Sequence, residues 1–113
     1  MAIIGTGGND NLKGVNGEAN LIFGDTDGTA DPSTLLGNDT LSGGNNSPDN
    51  TIYGDAQTLQ GDGTTGGNDT LIGGADSTNT LVGDANSNFG APTGGNDTLI
   101  GGKGGTKRNN MPF

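Results

Sequence analysis

Two short phrases alternate along this chain, and that alternation limits its folds more than any other feature. The first phrase is Gly66-Gly67-Asn68-Asp69-Thr70-Leu71-Ile72-Gly73-Gly74. It recurs as Gly94-Gly95-Asn96-Asp97-Thr98-Leu99-Ile100-Gly101-Gly102 and as Leu36-Gly37-Asn38-Asp39-Thr40-Leu41-Ser42-Gly43-Gly44. A worn copy is Gly7-Gly8-Asn9-Asp10-Asn11-Leu12-Lys13-Gly14. The second phrase is Asn20-Leu21-Ile22-Phe23-Gly24-Asp25, then Asn50-Thr51-Ile52-Tyr53-Gly54-Asp55, then Asn79-Thr80-Leu81-Val82-Gly83-Asp84. Repeats of this kind mark a solenoid, in which stacked units bury a shared core that no single unit could bury alone.

Without the repeat, 25 glycines and 27% hydrophobic residues in 113 would describe a disordered, low-complexity chain. The net charge of −9 is unevenly spread, because Lys103, Lys107 and Arg108 are three of the four bases. Such a surface disfavours nucleic acid or an anionic membrane as a partner. There is no cysteine to form a disulfide or thiolate site, and no histidine to act as general base or transition-metal ligand. With no nucleophile elbow or P-loop either, a non-enzymatic role is expected. The start, Met1-Ala2-Ile3-Ile4-Gly5, lacks the basic and apolar regions of a Sec-type signal, and no segment is long enough to insert across a membrane.

The large apolar residues fall at Ile3, Leu12, Ile22, Leu41, Ile52, Leu71, Leu81 and Leu99, with gaps of 9, 10, 19, 11, 19, 10 and 18. A full repeat is thus 30 residues from Leu41 to Leu71 and 28 from Leu71 to Leu99. Each phrase is short, rich in Thr, Ile, Leu and Val, and bounded by glycine pairs, which reads as a strand between turns. The expected fold is all-β: a parallel β-roll or β-solenoid of two facing parallel sheets with glycine-aspartate turns. Equivalent strands stack about 4.8 Å apart. Ile3, Ile22, Ile52 and Leu81 line one sheet, and Leu12, Leu41, Leu71 and Leu99 the other. The long connections carry a further apolar residue, Leu35 or Leu36, Leu59, and Phe89. They form either a loop folded over the edge or a third short side, and their varying lengths favour the loop. Residues 1–102 form the solenoid and 103–113 a basic C-terminal tail, where Met111 marks a candidate last strand weakened by Pro112.

Gly5-Thr6-Gly7-Gly8-Asn9-Asp10-Asn11-Leu12-Lys13 resembles the glycine-aspartate nonapeptide of the RTX, or hemolysin-type, calcium-binding repeats. Asn-Asp-Thr-Leu-Ile-Gly-Gly is similar to part of the same repeat, and the resemblance covers most of residues 3–102. It implies that calcium sits between stacked turns, held by turn aspartates and backbone carbonyls. Calcium takes six to eight hard oxygens, which carboxylates and glycine-turn carbonyls can supply. Asp10, Asp39, Asp69 and Asp97 form one column of candidate metal ligands and Asp25, Asp55 and Asp84 a second, with the turn glycines Gly8, Gly37, Gly67 and Gly95 as further metal-site residues. Like charges stacked about 5 Å apart repel by about 3 kcal/mol at an effective dielectric of 20, so metal-coupled folding is the natural solution.

On the short connections the turn aspartate gives way to Asn20, Asn50 and Asn79, which predicts metal-free turns held by an asparagine ladder. The nearby acids Glu18, Asp49 and Asp76, and Asp27, Asp31 and Asp62 in the long connections, are scattered ligands or solvated charges. The plainer reading of each Asn-Asp pair is turn chemistry alone. Four copies in register favour calcium.

The resemblance implies a calcium-binding structural module of an extracellular protein, secreted by a type I-like route. Two other readings follow from the residues. Exposed apolar stripes from outward Phe23, Tyr53, Val82, Ile72 and Ile100, with no polar cap, favour a homo-oligomer stacked end to end into filaments. Outward threonines at 40, 51, 70, 80 and 98 raise an ice-binding or adhesion surface as the alternative.

Overall fold

The computed structural model describes residues 2–103, and every regular element among them is a strand. In order these are β1 (Ala2–Ile4), β2 (Asn11–Lys13), β3 (Asn20–Phe23), β4 (Thr26–Ala30), β5 (Thr40–Ser42) and β6 (Asn50–Tyr53). They continue with β7 (Ala56–Gln60), β8 (Thr70–Ile72), β9 (Asn79–Val82), β10 (Ala85–Phe89) and β11 (Thr98–Ile100). All pair in parallel, in three sheets ordered β1-β3-β6-β9, β4-β7-β10 and β2-β5-β8-β11. The chain is therefore a parallel β-solenoid. Its first rung holds β1 and β2, and three fuller rungs follow: β3 to β5, β6 to β8 and β9 to β11.

The register repeats the sequence period. Ile3, Ile22, Ile52 and Leu81 stack in the first sheet, and Leu12, Leu41, Leu71 and Leu99 in its counterpart. These eight side chains form one apolar cluster, whose middle members are fully buried. One inward residue per strand is enough because parallel stacking shields each one from above and below.

The long connections differ from the folded-over loop that their variable lengths favour. They build the third sheet, β4-β7-β10, with a second small core of Ala30, Ala56, Leu59 and Ala85, against which Leu36 packs. The register slips between Thr26 and Thr29, where a bulge takes up one extra residue in β4. Leu35 and Phe89 are exposed, and the register sets Asn88 rather than Phe89 against Leu59. Gly61 and Gly90 end β7 and β10 with φ of 99° and 75°, a conformation that glycine takes without strain.

The opposite edge is the expected asparagine ladder. Asn20 Nδ2 donates to Asn50 Oδ1, and Asn50 Nδ2 to Asn79 Oδ1, each at 2.8 Å. Each Oδ1 also accepts a turn amide, from Val15, Gly44 and Gly74 respectively. The left-handed position of each short turn is filled by Gly17, Asn46 and Asp76, so Asp76 serves as a turn former.

The expected apolar stripe is only partly exposed. Phe23 and Val82 are buried, and Tyr53 is half-buried with its ring stacked on Phe23 at 5.1 Å. Ile72 is half-buried and Ile100 exposed. The tail expected at 103–113, with the strand at Met111, lies outside the described residues beyond Lys103.

Candidate metal-binding seam

The third sheet leaves the rung just after Gly24, Gly54 and Gly83 and returns at Gly37, Gly67 and Gly95. Outgoing and incoming chain therefore meet at a neck, and both aspartate columns line it. Asp25, Asp55 and Asp84 follow the outgoing glycines, while Asp39, Asp69 and Asp97 follow the incoming ones. The neck divides the two apolar cores, so the carboxylates are interior. Asp39, Asp55, Asp69 and Asp84 are 2% exposed or less, Asp25 is 6% exposed, and Asp97 on the last rung is half-buried.

One oxygen of each carboxylate has a structural duty. Oδ1 of Asp25, Asp55 and Asp84 accepts the amides of Gly37, Gly67 and Gly95 across the neck, at 2.8 to 2.9 Å. Oδ1 of Asp39, Asp69 and Asp97 accepts the amide of the column aspartate one rung earlier: Asp10, Asp39 and Asp69. One column thus pins the third sheet to its own rung, and the other ties rung to rung.

The second oxygen accepts no amide, and the carboxyls of Asp25 and Asp84 have only the carboxyl of Asp55 with which to share a proton. Oδ2 of Asp25, Asp39, Asp55, Asp69, Asp84 and Asp97 is buried without a hydrogen-bond partner. A buried, unpartnered carboxylate oxygen is unfavourable, and six in register form a pattern. The glycines leave them room. A Cβ at Gly24 or Gly54 would run into both the next rung's glycine carbonyl and the Oδ2 of Asp39 or Asp69, and one at Gly66 would meet the carboxylates of Asp55 and Asp84. The space at the neck is lined by oxygen.

The electrostatics follow. Burial, opposed in part by the amide hydrogen bonds, pushes Asp39 up to about 6 and both Asp25 and Asp97 to about 7. Asp55, Asp69 and Asp84 are also raised, chiefly by burial. The charges of Asp69, Asp84 and Asp25 add to the rise at Asp55.

All six residues with a free Oδ2 belong to the columns read from the sequence. Asp10 shares its column but not its environment, since its Oδ2 accepts the amide and hydroxyl of Thr6. Gly37, Gly67 and Gly95 reach the seam through their amides, and Gly8 at the equivalent place donates to Thr6 Oγ1. Asp27, Asp31 and Asp62 lie outside the seam on exposed positions, and Asp31 caps its own turn through Ser33 and Thr34. Sequence reasoning passed over Thr6, Gly24, Gly54, Gly66 and Gly83. The visible signal was the alignment of Gly5-Thr6 with Gly24-Asp25, Gly54-Asp55 and Gly83-Asp84.

The seam is a ladder rather than a formed cluster: among the described residues no three acidic side chains are arranged to hold a metal ion as they stand. Its donor set nevertheless suits a hard divalent cation, being oxygen only, paired in charge and short of partners. Gathering these oxygens around one ion asks for side-chain rotation, for which the glycines leave space.

No family model matches the chain, and comparison with curated proteins and with solved structures gives no match either.

Proposed function

We propose that the chain is a calcium-binding structural solenoid of an extracellular protein, with Asp25, Asp39, Asp55, Asp69, Asp84 and Asp97 as its metal-holding residues. The observation that carries this reading is the set of six buried Oδ2 atoms without partners, aligned along one neck. Bound calcium would supply the positive charge that lets these carboxylates stay ionised inside the fold. The chain's residues do the rest: Oδ1 atoms hold the backbone, the glycines leave space, and the asparagine edge closes the coil without charge. The reading is of a scaffold whose folding is coupled to millimolar calcium, as outside a cell, and it assigns no catalysis.

Far-UV circular dichroism with and without millimolar calcium tests it. A coil-to-β transition on adding calcium, reversed by chelator, is the expected result. A β spectrum indifferent to both would leave the seam as a ladder of protonated acids and overturn the proposal.

Stacking of copies end to end is part of the same proposal, since β1, β2, β9 and β11 are sheet-edge strands among those described. The two-sided first rung would leave β10 of the neighbouring copy unpaired. Sedimentation with electron microscopy in calcium distinguishes filaments from monomers. A second reading, ice binding, is favoured by the register of Thr40, Thr70 and Thr98 along one sheet and of Thr51 and Thr80 along another. Thermal hysteresis lost on Thr70→Lys would support it, and no hysteresis in the calcium-loaded protein would remove it.

A further inference from the structure

The first rung solves the problem of the seam differently. In the later rungs the outgoing glycine is followed by aspartate: Gly24-Asp25, Gly54-Asp55 and Gly83-Asp84. In the first rung it is followed by threonine, since Ile4 pairs with Phe23 and so sets Gly5-Thr6 opposite Gly24-Asp25.

Thr6 reproduces the aspartate's hydrogen bond and adds two more. Its Oγ1 accepts the Gly8 amide at 3.2 Å, the place where Oδ1 of Asp25, Asp55 and Asp84 accepts Gly37, Gly67 and Gly95. The same hydroxyl donates to Asp10 Oδ2 at 2.9 Å, which a carboxylate could not do. The Thr6 amide also turns inward, to Asp10 Oδ2 at 2.6 Å, whereas the amides of Asp25 and Asp55 run along the stack to Asp55 and Asp84 carbonyls. The oxygen left without a partner in every later rung is here doubly hydrogen-bonded.

We infer that Thr6 closes the aspartate seam at the first rung with its own hydroxyl and amide. The chain then takes one divalent cation for each of the pairs Asp25/Asp39, Asp55/Asp69 and Asp84/Asp97, three in all, and none at the first rung. The count follows from charge. Each pair brings two carboxylates with unpartnered Oδ2 atoms, which one divalent cation balances, while Asp10 stands opposite a neutral hydroxyl. Thr6 thus lets the first rung form its corner without metal. This rests on the calcium reading above.

The test is native mass spectrometry of the full chain in calcium, against a magnesium control, for the wild type, Thr6→Asp and Thr6→Ser. The wild type and Thr6→Ser are expected to hold three calcium ions, and Thr6→Asp, which restores the missing carboxylate, one more. Any other specific count for the wild type overturns the inference. So does an unchanged count in a folded Thr6→Asp, or a changed one in Thr6→Ser. Should Thr6→Asp fail to fold, the wild-type and Thr6→Ser counts decide. An absence of calcium from every protein overturns the calcium reading itself, and the inference with it.

Discussion

At the scale of single residues, the seam sets two demands against each other. Asp55 is buried among Asp25, Asp69 and Asp84, so its charge opposes folding without metal and serves binding with it. Asp55→Asn is therefore expected to stabilise the metal-free fold at neutral pH while weakening calcium binding by about tenfold or more, through the lower ligand charge. The β signal that Asp55→Asn gains over the wild type in chelator, paired with a calcium titration of both, reads both signs. Asp69→Ala and Asp97→Ala should each weaken calcium-dependent folding, whereas Asp62→Ala, on an exposed turn, should change little. Equal effects from all three would sink the assignment of the seam.

The same residues predict a pH dependence. An aspartate raised in the folded state above its ordinary 3.8 binds its proton more tightly when folded. Its contribution to metal-free stability is then full below that ordinary value and is lost as pH rises through about 6 for Asp39 and about 7 for Asp25 and Asp97. In chelator the chain should be most stable in mild acid and lose its β spectrum as pH climbs through this window. A metal-free fold that strengthens with rising pH would contradict the buried carboxylates.

At the scale of elements, the two edges of the coil use different chemistry for the same task. The asparagine edge is complete by itself: Asn50 accepts from Asn20 and Gly44 and donates to Gly44 and Asn79, all in the interior. Asn50→Ala would strand several of these groups, at about 1–3 kcal/mol for each left unsatisfied. Chemical unfolding of the calcium-loaded protein measures that loss. Glycine positions separate in the same way. A Cβ at Gly54 would overlap the Gly83 carbonyl, so Gly54→Ala should cost more than about 4 kcal/mol or prevent folding. Gly17 has open space and only a left-handed φ to keep, so Gly17→Ala should cost about 1–2 kcal/mol.

At the scale of the whole molecule, the rungs are linked in one dimension, each resting on its neighbours. Asp39, Asp69 and Asp97 tie successive rungs through amide hydrogen bonds, and the asparagine ladder does so on the far edge. Neutralising one aspartate pair thus favours order in the next rung. Calcium-induced folding should be sigmoidal, with a Hill coefficient above 1 and coincident transitions by circular dichroism and Tyr53 fluorescence. Separate transitions would show rungs folding independently.

The repeat itself determined much of this protein. Period, strand identity, the inward residue of each strand, the asparagine ladder and both aspartate columns could be read from the chain because each is a local pattern copied at fixed spacing. The position of the third side depended on contacts between rungs. Its strands, such as Thr26–Ala30 and Ala56–Gln60, share little sequence, and backbone pairing with small inward residues such as Ala30, Ala56 and Ala85 makes them a sheet. Burial of Phe23 and Val82 likewise depended on what lies over them in space, which alternation along a strand does not encode. The seam combines the two. Sequence placed the aspartates, and only the meeting of outgoing and incoming chain at the neck put them inside, with one oxygen bonded and one left over. Thr6 shows the division most plainly: in the sequence it is an ordinary turn residue, and in the fold it faces Asp10 where every other rung has a second carboxylate.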